Sequence, residues 1–165
     1  MNLVFNKKST ITYLFKKGRR ERLLSSNNIP SEFFYGYKEL KDQGYRLNLL
    51  EESDLNKKVK IILFGKFLNF FSKIIFSIPF NTIFGILFNK SFKKLQYADQ
   101  IIVTTNSLGI ALSFVQKIGL ISSKILFINM GLFSKKPNFI KLKIYQYIFK
   151  KVTLITISRI EYKNL

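Results

Sequence analysis

The feature that most constrains the fold is an alternation of short β-branched or aromatic runs with helical stretches along most of the 165-residue chain. Thr10–Phe15 (TITYLF) opens the series with the composition of a buried strand. A basic loop follows, Lys16-Lys17-Gly18-Arg19-Arg20. Next comes a helical stretch with Ser31 as N-cap after Pro30 and Glu32 at the positive helix end. Phe33, Phe34, Tyr37 and Leu40 recur there at helical spacing, and Gly44 supplies the stop. Residues 45–50 (YRLNLL) read as a second strand, followed by the acidic turn Glu51-Glu52-Ser53-Asp54. Further along, the pattern predicts a strand over 101–104, a helix over 106–118 ended by Gly119, and a strand over 124–129. An amphipathic helix over 140–151 and a strand over 152–157 complete it. Strands separated by helices imply βαβ units and a mostly parallel sheet. The expected fold is therefore α/β: a Rossmann-like open parallel sheet with helices on both faces, spanning residues 10–165 after a tail at 1–9.

The stretch from Ile61 to Phe88, between the second and third strands, is the most apolar part of the chain. Lys66 and Lys73 interrupt its first half, and Pro79 and Asn81 its second, so it does not read as a clean membrane span. The spacing predicts two helices broken near Pro79. On the first, Lys66, Asn69 and Lys73 share one face, while Phe67, Leu68, Phe70, Phe71, Ile74 and Ile75 cover the rest. The second runs into the basic cluster that contains Lys90, Lys93 and Lys94. Phe-rich helices flanked by lysines suit either of two situations. One is an interfacial helix on anionic lipid, with Lys66, Phe67, Phe70, Phe71, Lys73, Lys90, Lys93 and Lys94 at the surface. The other is a core helix covering the sheet.

Charge and missing residue types narrow the chemistry. Lys and Arg number 28 against 9 Asp and Glu, a formal net of +19, which favours anionic partners. Lys, Ile, Asn and Phe are also what an AT-rich genome encodes readily, so coding bias competes with function as the cause. With no Cys and no His, the chain offers no thiolate, no Cys-ligated zinc and no imidazole base. Any general base in this chain is a carboxylate, and no metal site is expected. Aromatic residues sit on apolar helices and do not interleave with Arg on a strand face, which argues against a specific nucleic-acid partner. Met1 to Lys8 lacks the apolar core and cleavage site of a signal peptide, so a cytoplasmic location is expected, peripheral on the inner membrane face if the Phe-rich helices meet lipid.

Open parallel sheets bind ligands beyond the C-terminal ends of their strands. That rule nominates five loops. In the first, Lys16, Lys17, Arg19 and Arg20 read either as phosphate contacts or as a solvated loop, with no dinucleotide or P-loop signature. In the second, Glu51, Glu52 and Asp54 supply a base, orient a sugar hydroxyl, or form a plain acidic turn. Thr104, Thr105, Asn106 and Ser107 make either a hydrogen-bonding rim at a helix N-terminus or a simple cap. Asn129, Met130 and Gly131 put a glycine where backbone can approach a ligand, or merely turn the chain. Ser158 and Arg159 begin the fifth, a capping box completed by Glu161. The helix it announces has about two turns before Leu165, below the ~12–15 residues a lone helix needs. The expectation is a helix cut short by truncation, with a frayed terminal turn as the alternative.

The segment Pro30-Ser31-Glu32-Phe33-Phe34-Tyr35-Gly36-Tyr37-Lys38-Glu39-Leu40, then Gly44 and a strand, resembles the start of bacterial glycosyltransferases of the GT-B fold, group 1 (family 4-like). Ala98-Asp99-Gln100-Ile101-Ile102 resembles the "A-D-x-I" entry to a central strand of that family. Lys124 to Leu132 resembles the strand and glycine turn beyond it, and Ser158-x-x-Glu161 the "S-x-x-E" helix start near the end of the N-terminal half. The resemblance covers roughly 11–165, more weakly over 56–97. It implies the N-terminal, acceptor-side half of a two-domain enzyme. A separate C-terminal half, or a partner chain, would bind the nucleotide-sugar donor, and no metal is usually required. The implied acceptor is a glycan or a lipid-linked glycan, and this half would hold no cofactor. Two departures bear on stand-alone catalysis: the donor-binding half is absent from this sequence, and so is the His that relatives often carry in the N-terminal half. A non-catalytic, basic membrane-surface protein is the competing expectation.

Overall fold

The computed structural model describes residues 9–25, 34–55, 78–129, 131–132 and 139–156. In chain order the elements are β1 (Thr10–Phe15), α1 (Arg19–Ser25), α2 (Tyr37–Asp42), β2 (Arg46–Glu51), α3 (Glu52–Leu55), α4 (Phe80–Leu87) and α5 (Phe92–Gln96). They continue with β3 (Gln100–Val103), α6 (Asn106–Lys117), β4 (Lys124–Asn129), α7 (Phe139–Phe149) and β5 (Thr153–Thr156). The five strands form one sheet in the order β2-β1-β3-β4-β5, and every pair is parallel. This is the Rossmann-like open sheet, with helices on both faces.

Strand periodicity divides the core into two layers, because alternate side chains leave opposite faces of a sheet. Ile11, Tyr13, Phe15, Ile102 and Ile128 pack on one face with Leu23 of α1 and with Tyr37 and Leu40 of α2. Leu14, Leu50, Ile101, Val103, Ile125 and Phe127 pack on the other with Ile83 and Ile86 of α4, Leu95 of α5, α6, and Tyr145, Ile148 and Phe149 of α7. Each such side chain, fully buried, contributes about 1.5–3 kcal/mol of transfer free energy. Helix α6 is the most enclosed: Leu108, Gly109, Ile110, Ala111, Leu112, Ser113 and Val115 are all buried. It lies against β4, α4 and α7.

Polar groups inside the sheet are satisfied by name. Thr12 donates its hydroxyl to the Lys94 carbonyl at 3.4 Å and accepts from Asn48 Nδ2 at 3.3 Å, tying α5 to the two strands it covers. Ser123 Oγ donates to the Leu95 carbonyl at 2.7 Å. The Asp99 carboxylate accepts the Thr10 N–H at 2.7 Å and so fixes the starts of β1 and β3 together. Tyr13 OH donates to the Tyr35 carbonyl at 3.0 Å, with the Tyr37 ring edge-on at 5.2 Å. Burial first, then the nearby Glu39 and Tyr37, push the Tyr13 phenol up to about 12.

Several expectations shift. Arg19 and Arg20 lie in the first turn of α1 and not in a loop. Gly18 enters that helix at φ 85°, and the Glu51 carboxylate accepts the Arg20 N–H at 2.6 Å, filling the role of a cap. Helix α2 begins at Tyr37, and just before it Tyr35 (φ 48°) and Gly36 (φ 76°) take left-handed conformations, so no single α-helix continues from Phe34 into α2. Phe34 nevertheless reaches the core, edge-on to Phe15 at 6.3 Å. At the other end Gly44 (φ 81°) and the Tyr45 N–H to Leu40 carbonyl bond at 3.1 Å close α2 as expected of a glycine stop. Ser31, Glu32 and Phe33, the first Phe-rich helix with Lys66, Phe67, Phe70, Phe71 and Lys73, and the capping box with Ser158, Arg159 and Glu161 lie outside the described residues.

Candidate functional site

Because all five strands are parallel, their C-terminal ends share one edge of the sheet. Chain order reverses there between β1 and β3, the place where such sheets open a crevice. At this point Thr104 donates both its backbone N–H and its hydroxyl to the Leu14 carbonyl, at 3.3 and 3.4 Å, which laces the top of the crevice. Thr105 follows as the extended N-cap of α6 without a side-chain cap bond, and its Oγ1 is buried with no partner among the described residues. Asn106 Nδ2 donates to the Gly131 carbonyl at 2.7 Å, and the Gly131 N–H donates to Asn129 Oδ1 at 3.0 Å. Asn129 is fully buried, and Gly131 sits at φ 118°, a conformation that favours glycine. Asn106, Asn129 and Gly131 are therefore brought together, bonded to one another across the ends of β3 and β4.

The more open arrangement lies beside β2, at the edge of the described sheet. Arg20 forms an ion pair with Asp54 and donates from the same Nη2 to the Leu49 carbonyl at 3.3 Å. Asp54 also accepts the Glu51 N–H at 2.9 Å. The buried Glu51 carboxylate in turn takes the Arg20 N–H and, at 3.5 Å, the Ser53 hydroxyl. Across from this group runs the turn between α4 and α5. Asn89, only 8% exposed, fixes it with both ends of its amide: Nδ2 donates to the Asp54 carbonyl at 2.6 Å, and Oδ1 accepts the Ser91 N–H at 2.8 Å.

Between the two walls is a cavity of about 510 Å³ with Leu49 and Leu50 on its floor. Arg20 and Asp54 line one side, and Asn89, Lys90, Ser91 and Lys94 the other. Arg20 and Asp54, expected near an acceptor, thus meet Lys90 and Lys94, expected at a membrane surface. Lys17, exposed, and Arg19, whose guanidinium carbon is 6.0 Å from the Phe15 ring centroid, belong to the β1 end but not to this cavity. Glu52 and Lys93 also stay outside its lining. Asn89 and Ser91 are the lining residues that motif reading missed. The only hint was an Asn two residues before a Ser at a helix end, the pattern of an Asx turn.

The same amide sets a stability prediction. Asn89→Ala removes two hydrogen bonds and strands the Asp54 carbonyl and the Ser91 N–H, so it is expected to cost roughly 2 kcal/mol. Urea denaturation checks this against Lys124→Ala, an exposed change expected to stay within about 0.5 kcal/mol.

Among the described residues no group of three or more His, Cys, Asp or Glu side chains is placed to hold a metal ion. No helix among them is long and apolar enough to cross a membrane. No protein-family model matches the chain, and neither a curated protein nor a solved structure matches it. What fold and site define is a class of architecture: a Rossmann-like open parallel domain with a polar, cationic cavity at the C-terminal edge of its sheet.

Proposed function

We propose that the chain is the acceptor-side half of a nucleotide-sugar-dependent glycosyltransferase. The observation that supports this most is the cavity beside β2. Within one space of about 510 Å³ it offers a guanidinium, a carboxylate, an amide, hydroxyls and two ammonium groups above a leucine floor. Sugars are recognised by such groups, which donate to and accept from several hydroxyls at once. In the reaction an acceptor hydroxyl attacks the anomeric carbon of the donor sugar. The bond from that carbon to the nucleotide breaks with its electron pair, and the hydroxyl proton passes to a base. The base is a carboxylate of this chain or a group of the further domain; Asp54 is the carboxylate that faces the cavity, while the Glu51 carboxylate accepts the Arg20 N–H. The donor is bound by a further domain or partner chain. The ordered series of segments that resembles the group 1 family supports the same reading.

The test is sugar transfer by the full gene product from a panel of nucleotide-sugars to glycan and lipid-linked acceptors. Transfer is expected, with Asp54→Asn lowering it by about 100-fold or more if Asp54 is the base. A product that neither binds a glycan nor cleaves any nucleotide-sugar would end the proposal.

One observation favours a second reading, a basic membrane-surface protein without catalysis. The rings of Phe84 and Phe88 stack at 6.3 Å, and Phe88 is 73% exposed immediately before the turn that carries Lys90. Exposed aromatics beside lysines suit the interface of an anionic bilayer. Replacing both by serine (F84S/F88S) is expected to lower flotation with phosphatidylglycerol vesicles by roughly tenfold or more, from lost apolar burial. Vesicle binding with no transfer to any acceptor would select this reading over the first.

A further inference from the structure

We infer that the cavity beside β2 is a phosphate site, one that receives the phosphoryl group of a phosphorylated sugar or lipid headgroup. Calling that ligand an acceptor rests on the transferase reading; the binding of phosphate does not.

Charge is the first argument. Arg20, Lys90 and Lys94 line the cavity with a single carboxylate, Asp54, against them, so the lining carries two uncompensated positive charges. Asp54 is already engaged, by Arg20 and by the Glu51 N–H. Neither Lys90 nor Lys94 has an ion-pair partner among the described residues, and the cavity brings them close to a third cation. Cations gathered so repel one another, and a dianion relieves that repulsion.

Donor geometry is the second. Among the described residues both side-chain bonds of Arg20 leave from Nη2, and a guanidinium has further N–H groups that suit two oxygens of one phosphate. The opposite wall is not a loose lysine pair. Asn89 ties the turn bearing Lys90 and Ser91 to the backbone of Asp54, so both walls share one hydrogen-bonded frame. Pre-placed donors lower the ordering cost of binding.

Size and the uncharged groups are the third. A volume of about 510 Å³ admits a phosphorylated monosaccharide or a glycerophosphate headgroup, and the Ser53 hydroxyl and Asp54 carboxylate can meet the hydroxyls such ligands carry. An extended nucleic-acid backbone needs a groove, and its phosphates lie too far apart to share one compact cavity.

The experiment uses the whole chain and calorimetric or NMR titration at fixed salt with inorganic phosphate, glucose 6-phosphate and glucose. Flotation runs in parallel with phosphatidylglycerol and phosphatidylcholine vesicles. Glucose 6-phosphate is expected to bind at least about tenfold more tightly than glucose, the worth of one charge-assisted contact. K90Q/K94Q is expected to remove most of that difference. All these lysines are exposed, so the variants should fold, and Lys124→Gln, outside the cavity lining, should bind as the parent does. Preference for phosphatidylglycerol vesicles that K90Q/K94Q abolishes, with weak glucose 6-phosphate binding, still supports the phosphate site and assigns its source to lipid. Equal binding of glucose and glucose 6-phosphate, with no preference for phosphatidylglycerol vesicles that K90Q/K94Q abolishes, overturns the inference and leaves the acceptor reading standing. So does phosphate binding that K90Q/K94Q and Lys124→Gln weaken alike. Phosphate-dependent binding without sugar transfer supports the site and counts against the transferase.

Discussion

Gly109→Val is expected to cost about 3 kcal/mol or more. Gly109 is the fourth residue of α6 and faces Phe127 of β4. A Cβ built there meets the Phe127 ring well inside van der Waals contact. The ring is the far part of a side chain, so the question is whether it can move. Phe127 is fully buried, and its ring is already packed against Phe149 at 5.8 Å. Moving it therefore pushes on α7, and the alternative is to lift α6 off the sheet. Alanine at 109 gains about 1 kcal/mol in helix propensity, but the clash outweighs it, and a net loss of roughly 1–2 kcal/mol is expected. Valine adds two methyl groups to the same crowding. The check is a double-mutant cycle by urea denaturation. Phe127→Leu should make Gly109→Ala cheaper by about 1 kcal/mol or more, because the two changes share one space. If the two losses simply add, or alanine stabilises the chain, the close approach of α6 to β4 is not what glycine serves here.

The sheet was legible in the sequence because its strands are short apolar runs between polar turns. β1 and β4 fall on the expected residues, since six-residue runs such as TITYLF and KILFIN have little room for another period. β2 and β3 are each displaced by one residue, and β5 is shorter than its β-branched run. Ladder pairing, not composition, decides where a strand starts and stops. The helices were less legible. Arg19 and Arg20 carry the charge of a loop but the propensity of a helix, and a carboxylate from β2, distant in sequence, accepts the first-turn N–H that decides the matter. The helical spacing that joins Phe34 to Tyr37 and Leu40 is cut by two left-handed residues, one of them the non-glycine Tyr35. Local pattern alone does not announce a positive φ at tyrosine.

The site was legible to the same degree. Parallel topology alone nominated the loops after all five strands; those after β1 to β3 and the described part of that after β4 lie at the expected edge, and the fifth lies outside the described residues. The cavity itself was not legible, because it depends on the turn between α4 and α5 folding back beside β2. That brings Lys90 and Lys94 next to Arg20, a residue some seventy positions earlier. Arg20 and Asp54, sorted by sequence into a sugar set, and Lys90 and Lys94, sorted into a lipid set, therefore share one cavity.

The second large effect is a loss of stability in alkali. An exposed tyrosine has a pKa of 10.0, whereas burial holds the Tyr13 phenol at about 12. The phenol is fully buried and donates to the Tyr35 carbonyl, a bond that phenolate cannot make. As pH rises, the unfolded chain therefore gives up this proton before the folded chain does. The contribution is complete below about pH 10 and is lost progressively as pH climbs through about 12, in all roughly 3 kcal/mol for a shift of this size. Tyr37, also raised by burial, adds in the same direction, while Lys141, lowered by burial, opposes it. Tyr13→Phe leaves Tyr37 and Lys141 in place, so comparison with the parent isolates one phenol. At neutral pH the variant is expected to lose about 1 kcal/mol, the net worth of the bond to Tyr35. Between pH 10 and 12 its stability should fall less steeply than the parent's, so the two curves converge and then cross, because a loss of roughly 3 kcal/mol exceeds a lead of about 1 kcal/mol. Urea midpoints measured across that range decide it, and parallel curves would show that Tyr13 is not held neutral by the fold.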